Sequence, residues 1–467
     1  MLFLLSFDKY YLQYIYKTKN NSPPKSRKLR MEATHNTISV LMLPWLAHGH
    51  ISPFLELAKK LTTRNIHIYF CSTAINLGPI KQLSKKYSLS IEFVELHLPS
   101  LPELPPHYHT TNGLPPHLMP TLKKAMDMAS PNITTILKQL KPDLVIYDFL
   151  QILAPSLAQS QNIPAVEFMV MSATLTSFYM HLANNPGVEF PSPEIYLQDY
   201  EVGKFANDSE DGDRILECFH QSSEVVLIRT FREIEAKHID YLSVLAKKKI
   251  VPVGPLVQDP VEEDEKKEII EWLNDKEPSS AVFVSFGSEF FLSKEEMQEI
   301  AYGLELSMVP FIWVVRFPRG EKVNLQMALP KGFLDRVGDR GMVVEGWAPQ
   351  KTILKHSSIG GFVSHCGWSS VIESMKFGVP IIAMPMHLDQ PVNARLVEAI
   401  GAGVEVKRDT KGRLEREEVA KVIRKLLVEK TTQRKAKELK ENIENKGDEE
   451  IDGVVQELLR LCSKLKE

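Results

Sequence analysis

The chain contains few cysteines and no long apolar run. Only four of its 467 residues are cysteine, and no two of them form a CxxC pair: Cys71, Cys218, Cys366 and Cys462. This spacing does not favour a disulfide framework or a structural zinc site, and it fits a reducing compartment such as the cytoplasm. No apolar run reaches the roughly 18 residues that a membrane-spanning helix needs, so we expect no membrane span.

The chain also has no dominant charge of one sign. Its 56 Lys and Arg residues nearly balance its 59 Asp and Glu residues, which gives a formal net charge of -3 at pH 7. Such a balance provides no long-range attraction to nucleic acid or to an anionic membrane, and we expect neither as a partner. The proportions of 43% hydrophobic and 25% charged residues are those of a globular protein, and the length favours two domains or more.

The N-terminal segment has little that predicts folded structure. It begins with a brief apolar patch and then becomes rich in Tyr, Lys and Asn. The patch is too short for the apolar core of about 7–15 residues in a secretory signal peptide. We therefore predict that residues 1–30 are an unstructured extension and that the first domain begins at Met31.

Strand-like and helix-like stretches alternate along most of the chain. The apolar run "TISVLMLPW" at 37–45 is typical of a buried parallel strand. In the helix-like run that follows, Ser52 suits the N-cap and Pro53 suits the first turn. Repeated alternation of this kind indicates βαβ units, and therefore an α/β fold whose parallel sheets are covered on both faces.

The alternation is interrupted once. Residues 251–280 combine prolines with a dense run of charges, which predicts a solvated linker. Strand-like stretches then resume, so the simplest architecture is two doubly wound, Rossmann-like domains that face each other across a cleft. We expect the first domain to span 31–250 and the second 281–450. The final helix, at about 450–467, could pack back on the first domain.

Ligands of such sheets bind beyond the carboxyl ends of the strands. The residues that directly follow predicted strands are therefore the candidates for a site: His48, His50, Asp148, Ser172, Ser288, Trp347 and the corner from His365 to Ser370.

The segment "IGGFVSHCGWSSVIESM" predicts a strand, a short turn and a helix that begins near Ser369 or Ser370. Free N–H groups and the positive end of the helix dipole would then form an anion site, which phosphate commonly occupies, with His365 beside it. Glu373 lies one turn into the helix, where it would repel phosphate and suits the neutral diol of a ribose. Alternatively, Ser370 and Glu373 form a capping box, which is purely structural.

The stretch from Trp347 to Gln390 resembles the signature segment of plant family-1 UDP-dependent glycosyltransferases. It opens with Trp-Ala-Pro-Gln, contains His-Cys-Gly-Trp midway and ends in Asp-Gln. The resemblance extends over essentially residues 36–462. It implies a GT-B fold and an inverting transfer from a UDP-sugar co-substrate, with no cofactor and no metal.

The resemblance also assigns donor-binding roles. Trp347 stacks on uracil, the Ala348 backbone reads the edge of the base, Gln350 lies near the ribose and Glu373 accepts from the ribose hydroxyls. The run "VFVSFGS" resembles the strand and turn that bring Ser288 to the phosphates, although a helix-entry turn is the alternative for this serine. The remaining assigned residues hold the diphosphate (His365, Gly367, Ser369 and Ser370) or the sugar hydroxyls (Trp368, Asp389 and Gln390).

Several positions make the resemblance more specific to one subgroup and one donor sugar. Ser369 stands where most members have Asn, which resembles the branch-forming subgroup that adds sugar to sugar, and Gln390 resembles glucose-using members. Met171 occupies a place where relatives often have a hydroxyl, so Ser172 is a candidate for a substitute contact with the sugar. We therefore expect UDP-glucose as donor and a sugar hydroxyl of a flavonoid or triterpenoid glycoside as acceptor, with an aglycone hydroxyl as the alternative.

Glycosyl transfer to an alcohol needs a group that takes the acceptor proton. His50 lies at the cleft end of the first strand, imidazole titrates near neutral pH, and the family carries its base at this Gly-His. His48, a His-Gly-His metal site and purely structural histidines remain alternatives. A carboxylate behind the imidazole would stabilise its charged form, and Asp148 ends an apolar strand where the family has its orienting Asp. The alternative for Asp148 is a helix cap.

Other function classes fit the sequence less well. An NAD-dependent dehydrogenase needs GxGxxG directly after its first strand, whereas the nearest match, "GAGVEV" at 401–406, leads into a strand. A nucleotide-sugar epimerase and a non-catalytic nucleotide-sugar-binding protein remain alternatives. The presence of both His50 and Asp148 counts against the second of these.

Overall fold

Two parallel β-sheets and the helices around them form the frame of the structure, which is a computed structural model. It describes residues 37–83, 91–207, 212–260, 266–287, 290–317 and 325–464. Within this part of the chain, no helix is both long and apolar enough to cross a membrane. The predicted N-terminal extension, residues 1–30, lies outside the described residues.

The first sheet has seven strands in the order β3-β2-β1-β4-β5-β6-β7, and every neighbouring pair is parallel. The central strands β4 and β5 are buried along their whole length, as their apolar sequences require, yet each carries one carboxyl group, Asp148 and Glu167. The strands are β1 (Ser39–Leu43), β2 (His67–Ser72), β3 (Ile91–Glu95), β4 (Leu144–Asp148), β5 (Ala165–Met169), β6 (Val225–Ile228) and β7 (Lys249–Pro252).

Helices connect these strands, and the first of them starts earlier than the sequence indicates. The amides of His50 and Ile51 already donate to the Ala47 carbonyl, at 3.0 and 2.9 Å. Helix α1 therefore begins at His48, so the predicted N-cap at Ser52 is wrong and His50 lies within the first helical turn. The helices are α1 (His48–Thr62), α2 (Ala74–Leu83), α3 (Met119–Met128), α4 (Ser130–Leu140), α5 (Ala154–Gln159), α6 (Ala173–Asn184), α7 (Asp199–Asn207), α8 (Gly212–Gln221) and α9 (Arg232–Ala246).

The second sheet has six strands in the order β10-β9-β8-β11-β12-β13, again all parallel. Its strands are β8 (Ala281–Ser285), β9 (Phe311–Val315), β10 (Gly341–Glu345), β11 (Ile359–Ser364), β12 (Ile381–Ala383) and β13 (Gly403–Glu405). Its helices are α10 (Lys267–Asn274), α11 (Lys294–Ser307), α12 (Leu325–Ala328), α13 (Phe333–Val337), α14 (Gln350–Lys355), α15 (Trp368–Phe377), α16 (Gln390–Ala399) and α17 (Arg416–Val428).

Each sheet changes winding direction at one place, and a crevice opens there at the carboxyl ends of the strands. In the first sheet this place lies between β1 and β4, so the residues that follow β1 meet the end of β4. In the second sheet it lies between β8 and β11. The candidate residues His50, Asp148 and His365 stand at these two crevices.

The two sheets with their helices, called the first lobe and the second lobe below, are joined by an apolar cluster. Leu175, Phe178 and Phe231 of the first lobe pack with Trp368 and Val371 of the second lobe. Two doubly wound lobes that meet in this way confirm the predicted α/β, GT-B type fold.

The chain returns to the first lobe at its end. Two further helices follow the second lobe, α18 (Lys430–Lys446) and α19 (Glu449–Lys464). Val454 and Leu458 of α19 are fully buried in the apolar core of the first lobe. Ion pairs from Lys249 to Glu457 at 2.5 Å and from Arg64 to Asp452 at 2.7 Å flank this contact.

Candidate active site

A cavity of about 930 Å³ lies between the two lobes, and residues of both lobes line it. His50 and Trp347, the central residues of the two predicted half-sites, face this same cavity. The sequence placed them far apart along the chain, so their meeting in one cavity is a result of the fold.

The imidazole of His50 is paired with a buried carboxylate. Its Nδ1 lies 2.8 Å from Oδ2 of Asp148, whose side chain is fully buried, while 18% of the His50 side chain is exposed. The other carboxylate oxygen, Oδ1, accepts the N–H of Leu150 at 3.2 Å. This arrangement holds Nδ1 against the carboxylate and fixes the orientation of the ring.

The alternatives for these two residues fit the geometry less well. Helix α5 begins at Ala154 with Leu153 at its N-cap position, so Asp148 does not cap it. His48 lines the cavity at the start of α1 and is exposed, but it is His50 that has Asp148 behind it. Among the described residues, no group of three or more His, Cys, Asp or Glu side chains could hold a metal ion.

Trp347 provides an accessible aromatic surface at the other side of the cavity. It lies between β10 and α14, and 48% of its surface is exposed. The neighbouring Ala348 is buried and also lines the cavity. An indole that stays this open offers a flat face on which a planar base could stack.

Gln350, the first residue of α14, reaches the carboxylate of Glu373 on α15. Its Nε2 donates to Glu373 Oε2 at 2.8 Å and to Ser370 Oγ at 3.3 Å. Burial raises the pKa of Glu373, and the hydrogen bond from Gln350 opposes this. Helix α15 begins at Trp368, so the capping-box alternative for Ser370 and Glu373 is wrong, because Glu373 lies well inside the helix.

His365 follows β11 in a narrow position between two glycines. A Cβ added to Gly287 or to Gly367 would lie 2.6 Å from His365 Nε2, so a side chain at either place would displace the imidazole. Burial lowers the pKa of His365 to about 4, assisted by the nearby His387. The imidazole is therefore neutral at pH 7 and can donate only one hydrogen bond.

The start of α15 supplies free backbone N–H groups to the cavity. Gly367 is its N-cap residue, and no side chain caps this end. Ser369 and Ser370 follow in the first turn, and both line the cavity. A helix terminus of this kind attracts an anion.

Asp389 and Gln390 begin α16 at the cavity wall. Gln390 Oε1 accepts the N–H groups of Met386 and His387, at 3.0 and 3.2 Å. Asp389 Oδ2 accepts from Asn393 Nδ2 at 2.6 Å, so the orientation of both end residues is fixed by neighbours.

Comparisons with known proteins agree with this geometry. The family model for "UDP-glucoronosyl and UDP-glucosyl transferase" matches residues 220–445, and the model for "Glycosyltransferase, N-terminal domain" matches residues 36–258. The beta-D-glucosyl crocetin beta-1,6-glucosyltransferase of Gardenia jasminoides is 54% identical over 437 residues, which are 90% of this chain and 98% of that protein. The chain belongs to the UDP-glycosyltransferase family.

Further comparisons support the same assignment. A mogroside IIIx synthase of Siraitia grosvenorii is 55% identical over 438 residues, which cover 90% of this glycosyltransferase and 97% of the relative. The structure of Phytolacca americana UGT2 complexed with UDP-2fluoro-glucose and pterostilbene has a TM-score of 0.74 and 26% identity, and the match covers 92% of this chain and 100% of that one. The resemblance to plant family-1 enzymes, most like the branch-forming subgroup, is confirmed.

Ser288 lies outside the described residues. Trp368 is 4% exposed, and its indole N–H donates to the carbonyl of Arg229 at 2.7 Å, so the ring joins the lobes as well as lining the cavity. Ser172 is fully buried, and its hydroxyl donates to Asn393 Oδ1 at 2.8 Å.

The position of Ser172 corrects the expectation of a sugar contact. Its hydroxyl also accepts the N–H of Leu175 at 3.1 Å and so caps α6. Among the described residues, those that line the cavity include Met171 but not Ser172. The serine lies behind the wall and holds Asn393, which in turn holds Asp389.

Sequence reasoning missed several side chains of the glycosyltransferase cavity. Arg229 and Arg316 line it directly after β6 and β9, where the rule about strand ends could have found them. Asn393, the fourth residue of α16, contributes from behind the cavity wall. Helix α8 adds an apolar wall that no motif marks: Ile215, Leu216 and Phe219.

Proposed function

We propose that this UDP-glycosyltransferase transfers glucose from UDP-glucose to a sugar hydroxyl of a plant secondary-metabolite glycoside, with inversion at the anomeric carbon. The observation that carries the proposal is the single cavity lined by both the His50–Asp148 pair and the segment from Trp347 to Gln390. One cavity can hold a donor and an acceptor side by side, as a direct displacement requires.

In this mechanism His50 is the general base. Its Nε2 takes the proton of an acceptor hydroxyl while the oxygen attacks the anomeric carbon opposite the diphosphate. The imidazole becomes positively charged, and the carboxylate of Asp148 at 2.8 Å stabilises that charge and keeps the proton on Nδ1. The C–O bond to UDP breaks as the new glycosidic bond forms.

The second lobe holds the donor. Trp347 stacks on the uracil, the Ala348 backbone contacts its edge, and Glu373 accepts from the ribose hydroxyls with Gln350 behind it. The N–H groups at the start of α15, together with His365 and Ser370, bind the diphosphate and stabilise the leaving UDP without a metal. Asp389 accepts from the glucose hydroxyls, and the amide nitrogen of Gln390 donates to one of them.

The acceptor binds in the first lobe. The apolar wall of α8 suits the body of a large aglycone, and Thr111, Met119 and Tyr179 also line the cavity. The relatives named for glucosyl crocetin and for a mogroside support a glycoside acceptor. We further propose residues 31–250 as the acceptor domain, 251–280 as linker, 281–450 as the donor domain, and a cytoplasmic location, in line with four buried cysteine thiols.

A mass-shift assay tests the proposal. The enzyme is incubated with UDP-glucose and matched pairs of acceptors, each a free aglycone and its monoglucoside from the flavonoid and triterpenoid classes. We expect a gain of one hexose on monoglucosides at a kcat/KM about tenfold or more above that of the aglycones, because a sugar hydroxyl beside His50 is the better-positioned nucleophile. Faster transfer to the aglycones would favour the aglycone glucosyltransferase, and UDP binding without transfer to any acceptor would favour a non-catalytic binding protein.

A further inference from the structure

A buried arginine of the first lobe lies at the start of helix α15 in the second lobe. Arg229 directly follows β6 and is 3% exposed. Its backbone is held at both ends, because its N–H donates to Met169 and its carbonyl accepts from the indole of Trp368, at 2.9 and 2.7 Å. The guanidinium therefore occupies a fixed position at the junction of the lobes.

Among the described residues, the partners of this side chain are oxygen atoms and none of them is a carboxylate. Nε donates to the Pro255 carbonyl at 3.1 Å, and Nη1 donates to Ser369 Oγ at 2.7 Å. Within the described part of the chain, no ion pair involves Arg229; Glu373 and Glu56 act on it only at longer range. Burial lowers the pKa of Arg229 to about 10, so the group is still charged at pH 7.

A buried cation without a paired anion is unfavourable unless a ligand supplies the negative charge. Arg229 lines the cavity beside Ser369 and Ser370, where the free N–H groups of the ten-residue helix α15 also point. Two independent features, a buried unpaired cation and a helix N-terminus, thus favour an anion at one place.

We propose that Arg229 binds the diphosphate of the nucleotide sugar and is the main positive side chain facing the departing UDP. This inference rests on the proposed function, which it deepens by assigning the counter-charge. In the reaction, the anomeric C–O bond breaks and its electron pair goes to the β-phosphate oxygen. The guanidinium stabilises that developing charge, while the acceptor proton goes to His50.

The same contact explains why serine suits position 369. Its hydroxyl oxygen accepts from Nη1, which leaves the hydroxyl hydrogen free to point at a phosphate oxygen. An asparagine at this position would bring its own amide donor to the phosphate. In this chain a charged donor from the opposite lobe takes over, so diphosphate binding also ties the two lobes together.

Isothermal titration of UDP and of uridine with R229Q tests the proposal, because uridine lacks the phosphates. We expect Kd for UDP to rise about 10- to 100-fold and Kd for uridine to change less than twofold, as the loss of a charge-assisted hydrogen bond predicts. In the transfer assay the kcat of R229Q should also fall, and the kcat of R229K should lie between those of R229Q and the wild type. The matched control is R232Q, since Arg232 is exposed and pairs with Asp240 at 2.9 Å; it should match the wild type.

Other outcomes overturn the inference. Unchanged UDP affinity in folded R229Q, or equal losses for UDP and uridine, would show that Arg229 only packs the lobes. If R229Q does not fold, S369A is measured instead, and its affinity for UDP, but not for uridine, is expected to fall about 3- to 10-fold. Unchanged UDP affinity in S369A would equally contradict the proposal. Failure of the proposed function looks different, because the wild type itself would then form no glycoside from UDP-glucose.

Discussion

At the residue scale, His50 and Asp148 show what a sequence can and cannot predict. Strands β1 and β4 are neighbours with Leu43 opposite Tyr147, so the residues that follow both strands come together. The alternating βα pattern and the strand-end rule made both residues candidates for a site, and the family resemblance added their pairing. The pattern could not show that α1 already begins at His48, because the hydrogen bonds to the Ala47 carbonyl leave no trace in residue type.

Replacing Asp148 by Asn tests the role of the pair. The amide cannot stabilise a charged His50 ring, and it favours the wrong tautomer, so kcat should fall about 10²- to 10⁴-fold. Steady-state kinetics with UDP-glucose and the best acceptor give the value. His48→Gln serves as comparison and should keep most of the rate. A larger loss in His48→Gln than in Asp148→Asn would show that His48, and not His50, is the base.

Glu167 gives a second prediction at this scale. Its carboxyl is fully buried in β5, neither oxygen has a hydrogen-bond partner among the described residues, and burial raises its pKa well above 4.5. Because the pKa of the Glu167 carboxyl is raised in the folded state, its contribution to the stability of the fold is present below pH 4.5 and is lost as the pH rises. We therefore expect Glu167→Gln to raise Tm at pH 8 relative to the wild type, and to raise it less at pH 5. A difference that does not depend on pH would contradict this assignment.

At the scale of elements, α14 and α15 meet through Gln350 and Glu373, the residues of the proposed ribose site. Sequence reasoning predicted a strand, a turn and a helix here, and it offered a cap as the alternative role of Glu373. The cap is wrong because the partner of Glu373 is Gln350, a residue of a different helix. Such a contact depends on how two helices pack, which spacing along one helix does not reveal.

Gln350→Leu tests this contact through pH. The hydrogen bond from Gln350 lowers the pKa of Glu373 against the effect of burial, so its loss should raise that pKa further. In the proposed function the ionised carboxylate accepts from the ribose, so UDP affinity should begin to fall at a higher pH when the variant is acidified. Titrations of UDP between pH 5 and 8 measure the midpoint. The same midpoint in both proteins would mean that Glu373 does not control binding.

At the scale of the whole molecule, residues of both lobes line one cavity. The apolar runs predicted the strands and thereby the α/β fold, because buried parallel strands need continuous apolar sequence. The surfaces that join the lobes were not predictable in the same way. No motif marks Phe178 or Phe231, and the structure shows that they pack in one apolar cluster with Trp368 of the other lobe.

The buried Arg395 also joins the lobes, and it allows a prediction about stability. Its guanidinium, 2% exposed, pairs with Glu201 of α7 at 2.8 Å and with Glu405 of β13 at 3.0 Å. Arg395→Ala leaves the buried Glu201 without its cation and leaves Glu405 paired only with Lys407 at 3.2 Å, so the free energy of unfolding should fall by about 3–5 kcal/mol. Urea unfolding gives the value.

The matched control is Arg413→Ala, because Arg413 is exposed and pairs with Asp409 at 2.6 Å. An exposed pair of this kind contributes about 0–1 kcal/mol. Equal effects of the two substitutions would show that the buried ion pairs do not hold the lobes together.

The central claim is that the second lobe binds the UDP-sugar while His50 of the first lobe activates the acceptor. His50→Ala separates these tasks most directly when UDP affinity is measured by calorimetry and transfer by product formation on the same preparation. We predict an unchanged Kd for UDP and a fall in transfer rate of about 10²- to 10⁴-fold. Full transfer by His50→Ala, or a loss of UDP binding in this variant, would contradict the account.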